Sequence, residues 1–333
     1  MGCGQSGGVA RSDPLLPALI SREQARLAGL SDRQIDRRLA NGAWRQQRRG
    51  WLRPSAGPGS EREEFLAALA AAARSFRTRE VVVSHLTAAQ VWGFARPLTG
   101  WSAPTFTATG GATRYRADRR LQVAALPDRH VVPLADVPIT TPARTLADCL
   151  RVLQPRDGLA MLDAALHAER STRSEVAEVV EYQAGWRGVP TAREVLRLAD
   201  GRRESTFESW SAWSFDRLKV PTPRWQVDVL DADRRFLGRV DGWWEQGVVG
   251  EADGRSKYRL RAAELGAVDA EGLAQVLDQE RARERALRAS GADVQRWSPS
   301  DVLNPRKAEV LARRLRAAIE FAASHPRFCG RTR

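Results

Sequence analysis

Asp241, Glu251 and Asp253 are spaced so that two neighbouring strands would bring their carboxylates together. Phe236 to Trp244 reads as one strand, Val248 to Asp253 as the next, and Glu245-Gln246-Gly247 as the turn between them. A loop of those residues pairs Trp244 with Val248, and counting back sets Asp241 opposite Glu251. The two-residue period of a strand puts Asp253 on the face of Glu251. Like charges across a ladder repel, and burial adds a desolvation cost, so a divalent cation is the simplest compensation. Hard oxygen ligands on rigid strands suit Mg2+ or Mn2+, which take one or two protein carboxylates and leave the other positions to water and phosphate. Such an ion polarises a phosphoryl oxygen and activates a water. The expected chemistry is metal-assisted activation of water beside a bound phosphate, with Asp241, Glu251 and Asp253 as metal and catalytic residues.

Two further groups belong to this constellation. Lys257 is one of only three lysines in an arginine-saturated chain, the others being Lys219 and Lys307. A compact ammonium a few residues past the acids can contact a scissile phosphate or an attacking water, and it can equally be a surface side chain. Glu208 can join the metal from the preceding helix, but Ser205-Thr206-Phe207-Glu208 also fits an S-x-x-E capping box.

The elements that must hold these side chains are legible around them. A helix from Thr206 to about Leu218, a proline-bounded turn at Pro221 and Pro223, and a strand from Trp225 to Val229 precede the acid-bearing pair. A later helix carries Arg281, Arg283, Arg285 and Arg288, which either neutralise phosphates or form a solvated face. The order is helix, three-stranded meander, helix, strand.

A different module opens the chain. After a Gly/Ser-rich stretch expected to be disordered over residues 1–18, Ser21-Arg22-Glu23-Gln24 starts a helix ending near Gly29. Ser31 caps a second helix, Asp32 to Asn41, with Ile35 and Leu39 as its apolar stripe and Gly42 as its stop. Trp44 to Arg53, "WRQQRRGWLR", reads as a short basic hairpin. Helix, short turn, helix and hairpin over residues 19–56 is the order of a winged helix-turn-helix. Nine arginines stand there against Glu23, Asp32 and Asp36, and Arg33, Arg37, Arg38, Arg45, Arg48 and Arg49 are the candidate DNA contacts. Between the two modules, residues 61–200 read as a mixed α/β and helical region. Val81 to Val83 is a buried strand, Thr87 caps a helix to Trp92, and Phe106–Thr109 and Leu121–Ala125 are strands around Gly110-Gly111. Thr141-Pro142-Ala143 starts a helix whose Arg144 and Asp148 form a surface i, i+4 ion pair. Pro155 to about Ala199 is helical, with a break in "GWRGVPTAREVL".

Bulk properties agree with several domains and a polyanionic partner. The chain has 333 residues, a formal charge of +13 and 43% hydrophobic residues. The arginine bias could also come from a GC-rich genome. Cys3, Cys149 and Cys329 lie far apart, which supports neither a disulfide framework nor a zinc site and fits a reducing cytoplasm. No run is long and apolar enough for a membrane span.

Three regions carry a family resemblance. "LAGLSDRQIDRRLANGAWRQQRRGWLRP" resembles the N-terminal winged helix of AbiEi-type antitoxins of type IV toxin-antitoxin systems, which repress transcription through operator DNA. "VVVSHLTAAQVWGF" and "PITTPARTLADCLR" resemble the segments that follow that winged helix in many actinobacterial proteins. "ESTFES", "PRWQVDV", "RVDGWW", "VVGEADGRSKY" and "DQERARERALRASGADVQRW" resemble, in order, the DUF559 and Vsr-like endonuclease-related domain of the PD-(D/E)XK superfamily.

The resemblance implies an α/β multidomain chain: a winged helix-turn-helix, a mixed middle region, and a restriction-endonuclease-like αβββαβ core over residues 202–333. On that pattern Asp241 is the first metal-binding aspartate and Glu251 the following acid, while Asp253 stands where the superfamily has lysine. The expected function is a DNA-binding, Mg2+- or Mn2+-dependent endonuclease. The alternative is a DNA-binding antitoxin or repressor with a catalytically inactive nuclease-like domain. The implied partners are DNA and either a toxin or a repair or restriction protein.

Overall fold

Local signals at the N-terminal end are realised in a compact order. Strand β1 (Ile20–Ser21), helix α1 (Arg22–Leu27) and helix α2 (Asp32–Ala40) lead into strands β2 (Trp44–Arg48) and β3 (Trp51–Pro54). These and all other coordinates come from a computed structural model that describes residues 20–27, 30–48, 51–54, 61–76, 80–94, 103–116, 119–134, 137–253 and 270–333. A capping box sets the start of α2: Gln34 N donates to Ser31 Oγ at 3.3 Å, and Ser31 N donates to Gln34 Oε1 at 2.8 Å. Gly42, at φ +74°, turns the chain out of the helix. The strands form an antiparallel sheet ordered β1-β3-β2. Ile35 is fully buried with Ala25 and Leu52, and Leu39 and Trp44 pack around them. The alanine-rich helix α3 (Glu61–Arg74) lays Ala70 and Ala71 against Trp51, and the Arg74 guanidinium sits 5.3 Å from that ring.

The chain divides into two compact units, Met1–Cys149 and Leu150–Arg333. The first continues with β4 (Val82–Val83), α4 (His85–Trp92), β5 (Thr105–Ala108), β6 (Arg114–Arg116), β7 (Arg119–Val123), β8 (Val131–Val132), β9 (Ile139–Thr140) and α5 (Pro142–Leu150). Its sheet runs β6-β7-β5-β4-β9-β8 and is mixed, with β5–β7 and β4–β9 parallel. Val83, Phe106, Leu121 and Ile139 close its core.

Two expectations are corrected in this unit. Ser84, not Thr87, occupies the N-cap position of α4, and the Thr87 hydroxyl instead accepts the N–H of Thr105 at 2.8 Å. Arg144 and Asp148 are ion-paired at 2.9 Å, but both are buried rather than on a helix surface. The pairing of a helix to a sheet decided this, because α5 turns that face inward.

The second unit begins with α6 (Pro155–His167), α7 (Arg173–Tyr182) and α8 (Val189–Leu198). Gly188, at φ +86°, makes the break before α8; a Cβ there would stand 2.2 Å from the Arg151 carbonyl oxygen. Then come α9 (Thr206–Arg217), β10 (Arg224–Leu230), β11 (Phe236–Trp244), β12 (Val248–Ala252), α10 (Ala270–Ala289), β13 (Asp293–Trp297), α11 (Pro299–Leu303), α12 (Pro305–Ser324) and β14 (Arg331–Thr332). The sheet order is β13-β12-β11-β10-β14, with β12–β13 parallel and the other pairs antiparallel. Phe215 of α9 meets Trp225, Trp244 and Trp297 with ring centroids 6.5, 6.3 and 5.2 Å away, so aromatic packing fixes this helix to the sheet. Gly250 is the gap those rings need, since a Cβ would lie 2.7 Å from Trp297. Leu287 of α10 enters the cluster of Val227, Val229, Val240, Val249 and Val294. The whole is mixed α/β.

Candidate functional site

Trp244 pairs with Val248, Trp243 with Val249 and Gly242 with Gly250, the register that the short turn implied. Asp241 and Glu251 are the next residues outward, 7% and 8% exposed. Asp241 Oδ2 accepts the N–H of Ala252 at 2.8 Å, so this carboxylate caps the frayed end of the β11–β12 ladder.

Glu251 faces a cation supplied by the protein. Arg283 Nη2 on α10 donates to Glu251 Oε1 at 2.9 Å, and Arg283 Nε donates to Glu280 Oε2 at 3.1 Å. Burial, offset in part by Arg283 and reinforced by Asp241, pushes the Glu251 carboxyl up to about 7. Burial opposes the Arg283 charge, but the bonds and fields of Glu280 and Glu251 more than reverse it and hold the guanidinium above its ordinary value. The expectation that Arg283 contacts phosphate or lies on a solvated face is thereby corrected. Arg281 and Arg288 do pair along the helix surface, with Asp278 and Glu284.

The other acids are separately engaged. Asp253 lies just past β12 and pairs with Arg296 Nη1 at 3.5 Å; Arg296 also meets Glu280 and Glu284 at 3.3 and 2.9 Å. Glu208 is 1% exposed and accepts from Glu204 N, Ser205 Oγ and Gln226 Nε2 at 3.1, 2.7 and 2.9 Å. Burial and the nearby Asp241 raise its carboxyl, and those three bonds lower it in part. Its carboxylate folds back on the first turn of α9, bonding Glu204 N and Ser205 Oγ, with Asp241 nearby. Gln226, which sequence reasoning missed, sits in the left-handed region at φ +55°, unusual for a non-glycine residue. Lys257 lies outside the described residues.

A divalent ion of this kind would draw on one or two carboxylates with oxygens open to it. Among the described residues no three of His, Cys, Asp and Glu are grouped to hold a metal. One oxygen of each acid is engaged by a protein donor, Glu251 Oε1 by Arg283 and Asp241 Oδ2 by the Ala252 N–H.

At the N-terminal module Arg33, Arg37 and Arg45 are exposed. Arg38 stacks 5.5 Å from the Trp44 centroid and donates to Gln34 O at 3.2 Å. Asp32 and Asp36 are bound by arginines of α1, Asp32 by Arg26 at 3.0 Å and Asp36 by Arg22. The acids of α2 are thus balanced locally while Arg33 and Arg37 project to solvent. The Arg48 side chain and all of Arg49 lie outside the described residues.

Residues 81–198 match the family model of the AbiEi antitoxin C-terminal domain. That range runs from β4 through α8, the region in which sequence reasoning assigned no chemistry. Within it Arg144, His130 and Asp148 form a buried polar cluster, with Arg144 Nη1 3.2 Å from His130 Nδ1. The chain is also similar to uncharacterized proteins of two Mycobacterium tuberculosis strains, each 39% identical over 105 residues. That match covers 32% of this chain and 38% of each relative, so well under two thirds of the curated relatives' length is spanned. No helix among the described residues is long and apolar enough to cross a membrane.

Proposed function

We propose that this chain is a DNA-binding antitoxin of the AbiEi kind, a transcriptional repressor in a type IV toxin-antitoxin system. The observation that carries the reading is the antitoxin C-terminal domain match at residues 81–198, which follows a basic helix, helix and hairpin with helix α3 between them. The first module supplies phosphate contacts through Arg33, Arg37 and Arg45, with Arg38 bracing the hairpin through Trp44. Operator DNA and a toxin are the partners on this reading. Quantitative binding to the DNA upstream of its own coding sequence tests it. Affinity well above that for scrambled DNA of equal length is the expected result, and equal affinity for both would sink the repressor role. Growth rescue on co-expression with the neighbouring toxin tests the second half.

The endonuclease reading keeps one supporting observation. The order α9, β10, β11, β12, α10, β13 is the αβββαβ order of the PD-(D/E)XK and Vsr-like core, with Asp241 and Glu251 at the end of one ladder. Its test is nicking of plasmid DNA with Mg2+ or Mn2+, stopped by Asp241→Ala. The pairing of Glu251 with Arg283 supports an idle nuclease-like domain instead, and a repair or restriction partner then has no substrate chemistry to share.

A further inference from the structure

We infer that the Arg283 guanidinium is the standing counter-cation of the Glu251 carboxylate beside Asp241, placed where a divalent ion would have to act, so that this domain holds its acids without metal. The seat is built for this side chain from several directions. All three guanidinium nitrogens are used: Nη2 on Glu251 at 2.9 Å, Nε on Glu280 at 3.1 Å, and Nη1 on the carbonyl oxygen of Arg239 at 3.0 Å. Only 15% of the side chain is exposed. Beneath it β11 carries Gly238 at φ +154°, and a Cβ there would stand 2.8 Å from Arg283 Cδ and 3.0 Å from Cγ. A glycine thus keeps open the groove through which the arginine stem reaches the acids. Leu287, one turn further along α10, is 1% exposed in the sheet core and holds the helix in that phase.

The chemistry favours this exchange of cations. A planar guanidinium satisfies several acceptors at fixed angles and stays charged at every physiological pH. Two buried carboxylates beside it gain attraction without dehydrating a metal ion. A cation seated at 2.9 Å from Glu251 Oε1 also takes up one lone pair of that oxygen and places a positive charge where a second cation would be repelled. The inference is independent of the antitoxin reading, since its measurements involve neither DNA nor toxin.

The experiment compares thermal melting and Mn2+ binding, by loss of the free-ion electron paramagnetic resonance signal, in the full chain and its variants. The parent is expected to melt at the same temperature in chelator, Mg2+ and Mn2+, and to show no Mn2+ binding that Asp241→Asn removes. Arg283→Met strands a buried acid and should melt roughly 10 °C lower in chelator. The double variant Arg283→Met with Glu251→Gln removes the guanidinium and the Glu251 charge, leaves Glu280 with Arg296, and should melt well above the single variant, or be recovered folded where the single variant is not. Gly238→Ala should lower the melting temperature in the parent by more than it does in an Arg283→Ala background, where the Cγ and Cδ that its Cβ would meet are gone. Metal binding by the parent that is lost in Asp241→Asn would overturn the proposal. So would an Arg283→Met melt equal to the parent's, or a double variant no more stable than the single one.

Discussion

Asp241 Oδ2 accepts the backbone N–H of Ala252 at 2.8 Å, so the first of the paired acids completes the hydrogen bonding of the strand that carries the second. Asp241→Asn keeps an acceptor at this point and sheds a charge beside Glu251 and Glu208. Its stability should equal or exceed the parent's. Asp241→Ala orphans a buried N–H and should cost about 1–3 kcal/mol. Urea denaturation of both variants separates the two roles, and equal losses would show that the charge, not the acceptor, matters here.

Gly188 supplies the left-handed turn between α7 and α8 with no room for a side chain, its Cβ position lying 2.2 Å from Arg151 O. Gly188→Ala should therefore lose more than the roughly 1–2 kcal/mol of a left-handed alanine alone, because the Arg151 backbone must also move. A denaturation midpoint unchanged from the parent would remove this close approach from the folded state.

His130 is buried against Arg144, and burial together with that guanidinium lowers its pKa below the ordinary 6.5. Arg144 has only protons to donate, so His130 Nδ1 accepts and the ring is neutral in the fold. The unfolded chain then binds the proton more tightly. Stability from this group is present above pH 6.5 and is lost as pH falls through that value toward the folded pKa. Burial raises Asp157, Asp163 and Glu208, which act in the opposite sense as pH falls, so the parent must be compared with His130→Gln. The variant's stability should fall less between pH 7 and 5, by fluorescence-monitored urea unfolding; parallel curves would mean that His130 titrates as it does in the unfolded chain.

Arg33 and Arg37 are exposed on α2 while Asp32 and Asp36 are bound by α1. If α2 lies against duplex DNA, the double variant Arg33→Ala with Arg37→Ala should weaken binding to all sequences and flatten the slope of log affinity against log salt by up to about 2. An unchanged slope in titrations across salt concentrations would take α2 out of the interface. Arg38→Ala should instead lower thermal stability, through loss of its stack on Trp44.

Where the sequence determined the outcome alone, the deciding physics was local. Ser31 and Gln34 mark the start of α2 because a capping box needs only residues three apart, and Gly42 ends it because glycine reaches φ +74° without strain. Glu245-Gln246-Gly247 is short enough to dictate the pairing of Trp244 with Val248, which in turn brought Asp241 and Glu251 to one ladder end. Tertiary structure decided what those acids meet. Glu280 and Arg283 advertise their own pairing by i, i+3 spacing, but nothing local aims Arg283 across 32 residues of chain at Glu251; the burial of Leu287 and the missing side chain of Gly238 do that. Asp253 passed to Arg296 because β12 and β13 run parallel, a long-range pairing with no turn to announce it. Arg144 and Asp148 went inside for the same kind of reason: their spacing is a property of one helix, whereas the direction that helix faces is a property of everything packed against it.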